Sequence, residues 1–327
     1  MTSFSCSTHF RWALTAHISI KVPTIKFYNG KTHRGILFVL LLLAVADVHA
    51  SINVFACEPE WAALAEEIGG DKLTIYSATT SMQDPHHIQA RPSLIAKARR
   101  ADLLVCSGAE LETGWLPLLL RKAGNAKIQT NQPGNFVAAD YVKKHDVPRK
   151  LDRSMGDVHA EGNPHIHTNP ENILLVAAAL QERLSEIDAD NERYYLTRYQ
   201  AFEKRWKQLV AQWKEKTALL QGANIVTHHN YWTYLNRWLG LHVLATLEPI
   251  PGVSPSSSHL ARIKKQLSQQ EIKMIIHVSY VSDRASQWLA EQTGAPVIAL
   301  PATVDYQRGQ TLSQWYDEVI RQLLSVK

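Results

Sequence analysis

Cysteine is scarce in this chain of 327 residues, which has three cysteines and none of the closely spaced pairs that structural zinc sites use. A His-Glu-x-x-His unit, which would indicate a zinc protease, is also missing. The chain has no stripe of basic residues with interleaved aromatic residues, so nothing in it supports a nucleic-acid partner. Any functional site must therefore be assembled from residues that lie far apart in the sequence.

Long apolar runs are also missing, and the run at residues 36–46 is too short to span a bilayer comfortably. Lys31 and Arg34 precede it, and small residues follow it up to Ala50. This pattern predicts a signal peptide over residues 1–50, cleaved after about Ala50, with a retained membrane anchor as the alternative. Cleavage would remove five basic residues and one acidic residue, and the formal charge would fall from +5 to +1.

Two of the three cysteines remain after cleavage, and each ends a predicted strand. In an oxidising periplasm, Cys57 and Cys106 could form one disulfide, and two reduced buried thiols are the alternative. We do not expect Cys57 to be lipidated, because Phe55 occupies a position where a small residue would be needed.

Short apolar runs alternate with helical stretches twice along the chain, which predicts two lobes that each contain a parallel sheet covered by helices. We predict an amino-terminal α/β lobe over residues 51–188, a linking helix over residues 189–222 and a carboxyl-terminal α/β lobe over residues 223–327. The predicted strands are 52–56, 73–77, 103–106 and 136–139 in the first lobe and 224–227, 241–247, 274–278 and 297–300 in the second.

The segment between the two alternating regions is the most helical part of the chain, and it has a break near residues 188–190. After the break, aromatic and apolar residues recur every three or four positions, as one face of a helix requires. They are Tyr195, Tyr199, Phe202, Trp206, Leu209 and Trp213. We interpret this stripe as core packing, in one stiff helix of roughly 45 Å that joins the lobes.

Four stretches that follow predicted strands carry histidine or aspartate: residues 84–87, 163–167, 228–229 and 304–305. Ligands of open α/β sheets bind at the carboxyl ends of the strands, so these stretches should meet in the cleft between the lobes. Nitrogen and oxygen ligands gathered from separate loops are typical of a zinc site. The sequence therefore predicts one Zn²⁺ site with two stretches from each lobe.

The same stretches carry a resemblance to a known family. Asp84-Pro85-His86, Asn163-Pro164-His165 and Val226-Thr227-His228-His229 resemble the first three ligand loops of the zinc and manganese substrate-binding proteins of ABC transporters. The resemblance covers residues 52 to about 324, and it implies that His86, His165 and His229 are metal ligands. His229 is preferred to His228 because Tyr234 and Leu235 then lie at matching offsets.

The resemblance also indicates which metal is bound and leaves the fourth ligand open. Manganese proteins of the family tend to have glutamate where this chain has His229, and imidazole favours zinc over manganese, so Zn²⁺ is predicted. Asp305 is the predicted fourth ligand, with Glu248 or water as alternatives. Histidine and acidic residues near the second ligand could form a weak entry site or only a polar surface loop: His145, Asp157, His159, Glu161 and His167.

The predicted function follows from this resemblance. We expect a monomeric periplasmic protein, not an enzyme, that captures Zn²⁺ and delivers it to the membrane permease of an ABC transporter. One alternative is a secreted zinc hydrolase or lyase, because three histidines and a water molecule are also a catalytic arrangement. Another is a metal-binding adhesin with the same fold.

Overall fold

The computed structural model describes residues 51–148, 156 and 159–326. The predicted signal peptide and Asp157 lie outside these residues. In the part of the chain that is described, no helix combines the length and the apolar composition that a membrane crossing needs.

The first lobe contains a four-stranded parallel sheet in the order β2-β1-β3-β4. Short runs of β-branched and apolar residues form these strands, and proline begins or nearly begins each of the helices between them. The elements are β1 (Ile52–Ala56), α1 (Pro59–Gly69), β2 (Leu73–Ser77), α2 (Pro92–Ala98), β3 (Leu103–Cys106), α3 (Leu116–Ala123) and β4 (Asn135–Val137).

The second lobe repeats this arrangement with the strand order β6-β5-β7-β8, again all parallel. A Thr311–Gln314 capping box fixes the start of its last helix. The elements are β5 (Asn224–Thr227), α6 (Thr233–Leu239), β6 (His242–Thr246), α7 (Ser257–Gln266), β7 (Met274–Val278), α8 (Arg284–Thr293), β8 (Val297–Leu300) and α9 (Leu312–Leu324).

Two helices connect the lobes, α4 (Pro170–Ile187) and α5 (Glu192–Lys216), and a short 3₁₀ turn at Ala189–Asn191 separates them. The break is therefore where the sequence predicted it. Helix α5 has 25 residues, or roughly 37 Å, so it is somewhat shorter than the predicted linker. Tyr195, Phe202, Trp206 and Trp213 of the stripe are buried, whereas Tyr199 and Leu209 are only partly buried.

One hydrophobic core runs through both lobes and the long helix. It includes Ile52 at the start of the first sheet, Trp206 of α5 and Leu323 near the end of α9. A disulfide joins Cys57 and Cys106 beside β1 and β3, so the disulfide alternative of the sequence prediction is confirmed. The two lobes therefore share one core. The loops that follow β2 and β5, at the carboxyl ends of these strands, line the same cavity.

Candidate metal centre

Each of the three predicted ligand histidines lies in a loop at the cleft. His86 belongs to a 3₁₀ turn at Pro85–His87 that follows β2, and the Asp84 side chain caps this turn by accepting the His86 backbone N–H at 3.0 Å. His229 lies two residues after β5. His165 directly precedes another short turn, and its backbone N–H donates to Oδ1 of Asn163 at 3.0 Å.

The structure brings these three imidazoles together. The ring centroid of His165 lies 5.7 Å from that of His86 and 5.9 Å from that of His229, and both pairs meet edge to face. His165 is therefore the middle member, between a ring carried by the first lobe and a ring carried by the second.

A carboxylate fixes the orientation of each outer ring. Asp84 Oδ1 lies 2.7 Å from Nδ1 of His86, and Glu248 Oε2 lies 2.7 Å from Nδ1 of His229. Burial alone would raise the pKa of Asp84, but hydrogen bonds from His86 outweigh it and the pKa is lowered. With Nδ1 engaged in this way, Nε2 of each ring keeps its lone pair, as in carboxylate–histidine–metal groups.

The middle ring is held by packing. His165 is 1% exposed, and neither of its ring nitrogens has a hydrogen-bond partner in the described structure. Tyr231 stacks on it with a centroid separation of 3.9 Å. Burial lowers the pKa of His165 well below its usual range, and the neighbouring His86 and His229 add to this effect. A buried, neutral imidazole without a partner is suited to bind a cation.

A small cavity of about 60 Å³ adjoins the outer rings. Its lining includes His86, His229 and Glu248, together with Tyr280 after β7. A larger groove of about 650 Å³ lies at the amino ends of the first sheet, around Asp102 and Lys127, and none of its lining residues is a histidine. Two of the predicted ligand histidines therefore line the smaller cavity, and none lines the larger groove.

The histidines next to the predicted ligands have other environments. His87 is largely exposed, with 68% of its side chain accessible. His167 is buried, with Nδ1 3.1 Å from Oε1 of Glu60 and Nε2 3.1 Å from the carbonyl oxygen of Ala302. His228 is also buried, and its Nε2 lies 3.7 Å from Oε1 of Glu248.

Asp305 lies in the loop after β8, and its contacts are local. Its carboxylate is 3.6 Å from Nε of Arg308, and its backbone N–H donates to the side chain of Gln310 at 2.8 Å. Among the described contacts, none joins Asp305 to the three histidines. Its role as the fourth ligand stays a prediction.

The polar residues that precede the second predicted ligand have different surroundings in the structure. Nε2 of His159 lies 3.1 Å from Nε2 of His86, and the two rings stack with centroids 5.2 Å apart. The ring of His145 instead packs on Tyr234, and Glu161 contacts Lys144 at the surface. Of His145, His159 and Glu161, only His159 has a described contact with one of the three predicted ligands.

The sequence analysis did not identify two groups that shape the centre. Tyr231 packs on His165, and Asp84 orients His86, although Asp84 belongs to a quoted motif and Tyr231 lies two positions after the end of another. A polar residue two positions before a ligand histidine, and an aromatic residue two positions after one, are signals that could have identified them. Cys57, Cys106 and Glu112 also lie close together, but the disulfide occupies both sulfur atoms.

Comparisons with known proteins agree on one family. The family model "Zinc-uptake complex component A periplasmic" (ZnuA) matches residues 54–326. The metal ABC transporter substrate-binding lipoprotein SloC of Streptococcus mutans is 24% identical over 268 residues, which cover 81% of this chain and 85% of the relative. The manganese ABC transporter substrate-binding lipoprotein PsaA of Streptococcus pneumoniae is 24% identical over 278 residues, covering 81% and 88%.

Solved structures share the fold. A crystal structure of ZnuA superposes with a TM-score of 0.68 at 22% identity, covering 84% of this chain and 99% of that chain. A periplasmic metal-binding protein from Candidatus Liberibacter asiaticus superposes with the same TM-score at 18% identity, covering 84% and 99%.

Proposed function

The chain belongs to the family of the periplasmic A component of zinc-uptake complexes, and from this membership we propose that it captures Zn²⁺ outside the cytoplasm for import. Members of this family are metal-binding substrate-binding proteins of ABC transporters and not enzymes, which removes the hydrolase and lyase alternative. The choice of metal, the ligand residues and the delivery partner of this chain are parts of the proposal.

The observation that carries the proposal is the donor set at the cleft. Three imidazoles converge from two lobes, and two of them have a carboxylate on Nδ1 that leaves Nε2 available. We propose His86, His165 and His229 as the ligands of the transported ion. Nitrogen donors favour Zn²⁺ over the harder Mn²⁺, so zinc is the proposed cargo even though relatives such as PsaA carry manganese in their names.

Delivery requires a surface that a membrane permease can recognise. Met82 and Val253 are exposed apolar side chains in the loops beside Asp84 and Gly252, one from each lobe. We propose that the metal-loaded monomer presents this mouth of the cleft to an ABC permease. The export signal, with cleavage after about Ala50, is part of the same proposal, because uptake from outside needs an exported protein.

The test is calorimetric titration of the metal-free protein with Zn²⁺ and, separately, with Mn²⁺. We expect one tight zinc site, weaker manganese binding, and a loss of zinc affinity of at least ~100-fold in His86→Ala, His165→Ala and His229→Ala, since each removes a ligand. His87→Ala is the matched control, because its ring is exposed and adjacent to His86.

Two results would contradict the proposal. Tight zinc binding that persists in all three alanine variants would show that the ligands are elsewhere. Tighter binding of Mn²⁺ than of Zn²⁺ by the unaltered protein would refute the zinc assignment and leave only the family's general metal-binding role.

A further inference from the structure

We infer that His159 is a fourth ligand of the ion, in the place that the sequence gives to Asp305. The inference rests on the proposed function, because it concerns the same ion as His86, His165 and His229. It adds a residue that lies six positions before the second ligand.

The first argument is the distance between two nitrogen atoms. Nε2 of His159 lies 3.1 Å from Nε2 of His86. In a tetrahedral zinc site with bonds of about 2.0–2.1 Å, two ligand nitrogens are separated by about 3.3 Å. Because Asp84 engages Nδ1 of His86, the Nε2 atom of His86 that faces His159 is the one with an available lone pair. The two atoms are thus already spaced as neighbouring ligands of one ion.

The second argument is that the chain is anchored directly after His159. The backbone N–H of Ala160 donates to the carboxylate of Glu110. Asn163 N–H donates to the carbonyl oxygen of His145 at 2.8 Å. Gly162 has a φ of +104°, and a Cβ there would lie 2.6 Å from that same carbonyl oxygen, so this turn requires glycine. These contacts hold His159 against the ring of His86.

The third argument is the environment of the competing residue. The carboxylate of Asp305 faces Arg308, and its loop is held by Gln310. To bind the ion, the carboxylate of Asp305 would have to give up its contact with Arg308, whereas His159 already contacts a predicted ligand. The described geometry favours His159.

A fourth imidazole would also affect metal selectivity. Replacing a carboxylate or water oxygen by nitrogen makes the donor set softer, which favours Zn²⁺ and disfavours Mn²⁺. His159 would then be a residue that determines specificity, and its removal should affect the two ions unequally.

The experiment compares zinc and manganese affinities of the full protein with those of His159→Ala, Asp305→Ala, His86→Ala and His242→Ala. X-ray absorption of the zinc-loaded forms counts the imidazole ligands independently of affinity. His242 is an exposed histidine at the start of β6, remote from the cleft, and serves as the control. We expect four imidazoles in the unaltered protein and three in His159→Ala.

We further expect zinc affinity to fall in His159→Ala by at least the ~10- to 100-fold that loss of an outer-sphere partner costs. Manganese affinity should change less in this variant, so the ratio of zinc affinity to manganese affinity should decrease. The affinities of His242→Ala should match those of the unaltered protein. Thermal unfolding of each metal-free variant checks that the fold is intact.

The outcomes separate this inference from the proposed function. If His86→Ala loses zinc but His159→Ala keeps the original affinity and imidazole count, the inference is wrong and the function stands. If Asp305→Ala alone shows the loss, Asp305 is the fourth ligand. If zinc binding stays tight in His86→Ala, His165→Ala and His229→Ala alike, the proposed function fails, and the inference fails with it.

Discussion

At the scale of single residues, a pair of buried carboxyl groups meets at Ser107, directly after β3. Glu58 and Glu112 are both almost fully buried, and both accept a hydrogen bond from the backbone N–H of Ser107, at 3.1 and 2.8 Å. Burial raises the pKa of Glu112 to about 7, against the hydrogen bonds that stabilise its charge. Burial and repulsion by Glu112 and Glu60 raise the pKa of Glu58 as well. The folded protein therefore retains protons here that the unfolded chain releases.

This pair predicts a stability that decreases with rising pH. Glu112 has a folded pKa of about 7 and a reference value of 4.5, so its contribution is complete below about pH 4.5 and is lost as the pH rises through 7. The whole effect is on the order of 3 kcal/mol at most. We expect the free energy of unfolding of Glu112→Gln to decrease less with rising pH than that of the unaltered protein. Urea unfolding of the metal-free proteins between pH 4 and 8 measures this difference.

The comparison must be between variants, because His165 acts in the opposite direction. Its pKa is lowered on folding, so its contribution to stability increases with pH. Glu271→Gln, at an exposed position, is the control. Parallel pH profiles for Glu112→Gln and the unaltered protein would show that Glu112 is not the titrating group.

Sequence reasoning could identify histidine stretches but had no direct physical basis for choosing within them. His165 and His167 are two residues apart, yet one ring lies between two other histidines and the other lies between Glu60 and Ala302. The choice depends on contacts with residues between 64 and 135 positions away, which local spacing does not encode. For the same reason, sequence reasoning had no ground for preferring His159 over Asp305.

At the scale of elements, helix α5 is stabilised mainly by its aromatic stripe. Trp206 donates from Nε1 to the carbonyl oxygen of Pro170 at 2.8 Å, at the start of α4. Its ring also packs against Phe202, Trp213 and Tyr316, with centroids 5.1 to 5.4 Å away. One side chain therefore joins α4, α5 and α9.

We expect Trp206→Ala to lower the free energy of unfolding by about 3–5 kcal/mol, because it leaves a large cavity and an unpaired carbonyl group. Chemical denaturation followed by circular dichroism measures the change. Gln208→Ala, on the exposed side of the same helix, should have little effect. Equal midpoints for the two variants would contradict the role given to the stripe.

The elements were the most predictable part of the structure. The strands at residues 52–56, 73–77, 103–106, 224–227, 274–278 and 297–300 have the predicted bounds, because glycine, proline and polar residues mark their ends. The predicted strands 136–139 and 241–247 are shorter in the structure, Asn135–Val137 and His242–Thr246. Both are edge strands, but so are β2 and β8, whose bounds agree, so the position in the sheet does not by itself account for the difference.

At the scale of the whole molecule, the continuous core predicts one cooperative unfolding unit. The division at residues 188 and 222 stays a prediction, and the core crosses both positions. We expect a single calorimetric transition for the metal-free protein, with equal calorimetric and van't Hoff enthalpies. Free zinc at 100 times its dissociation constant should add about 2.7 kcal/mol and shift the same transition upward. Two separate transitions would show that the lobes unfold independently.

The shared core also constrains the order in which the chain can fold. Thr303 donates to Glu60 at 2.5 Å across 243 positions of sequence, and Trp315 belongs to the same core as Ile52. Contacts of such long range form slowly, and a nascent chain that lacks α9 must leave apolar surface of the first lobe uncovered. Folding can be completed only after nearly the whole polypeptide has been synthesised, so the incomplete chain needs protection from aggregation until its last helix is available.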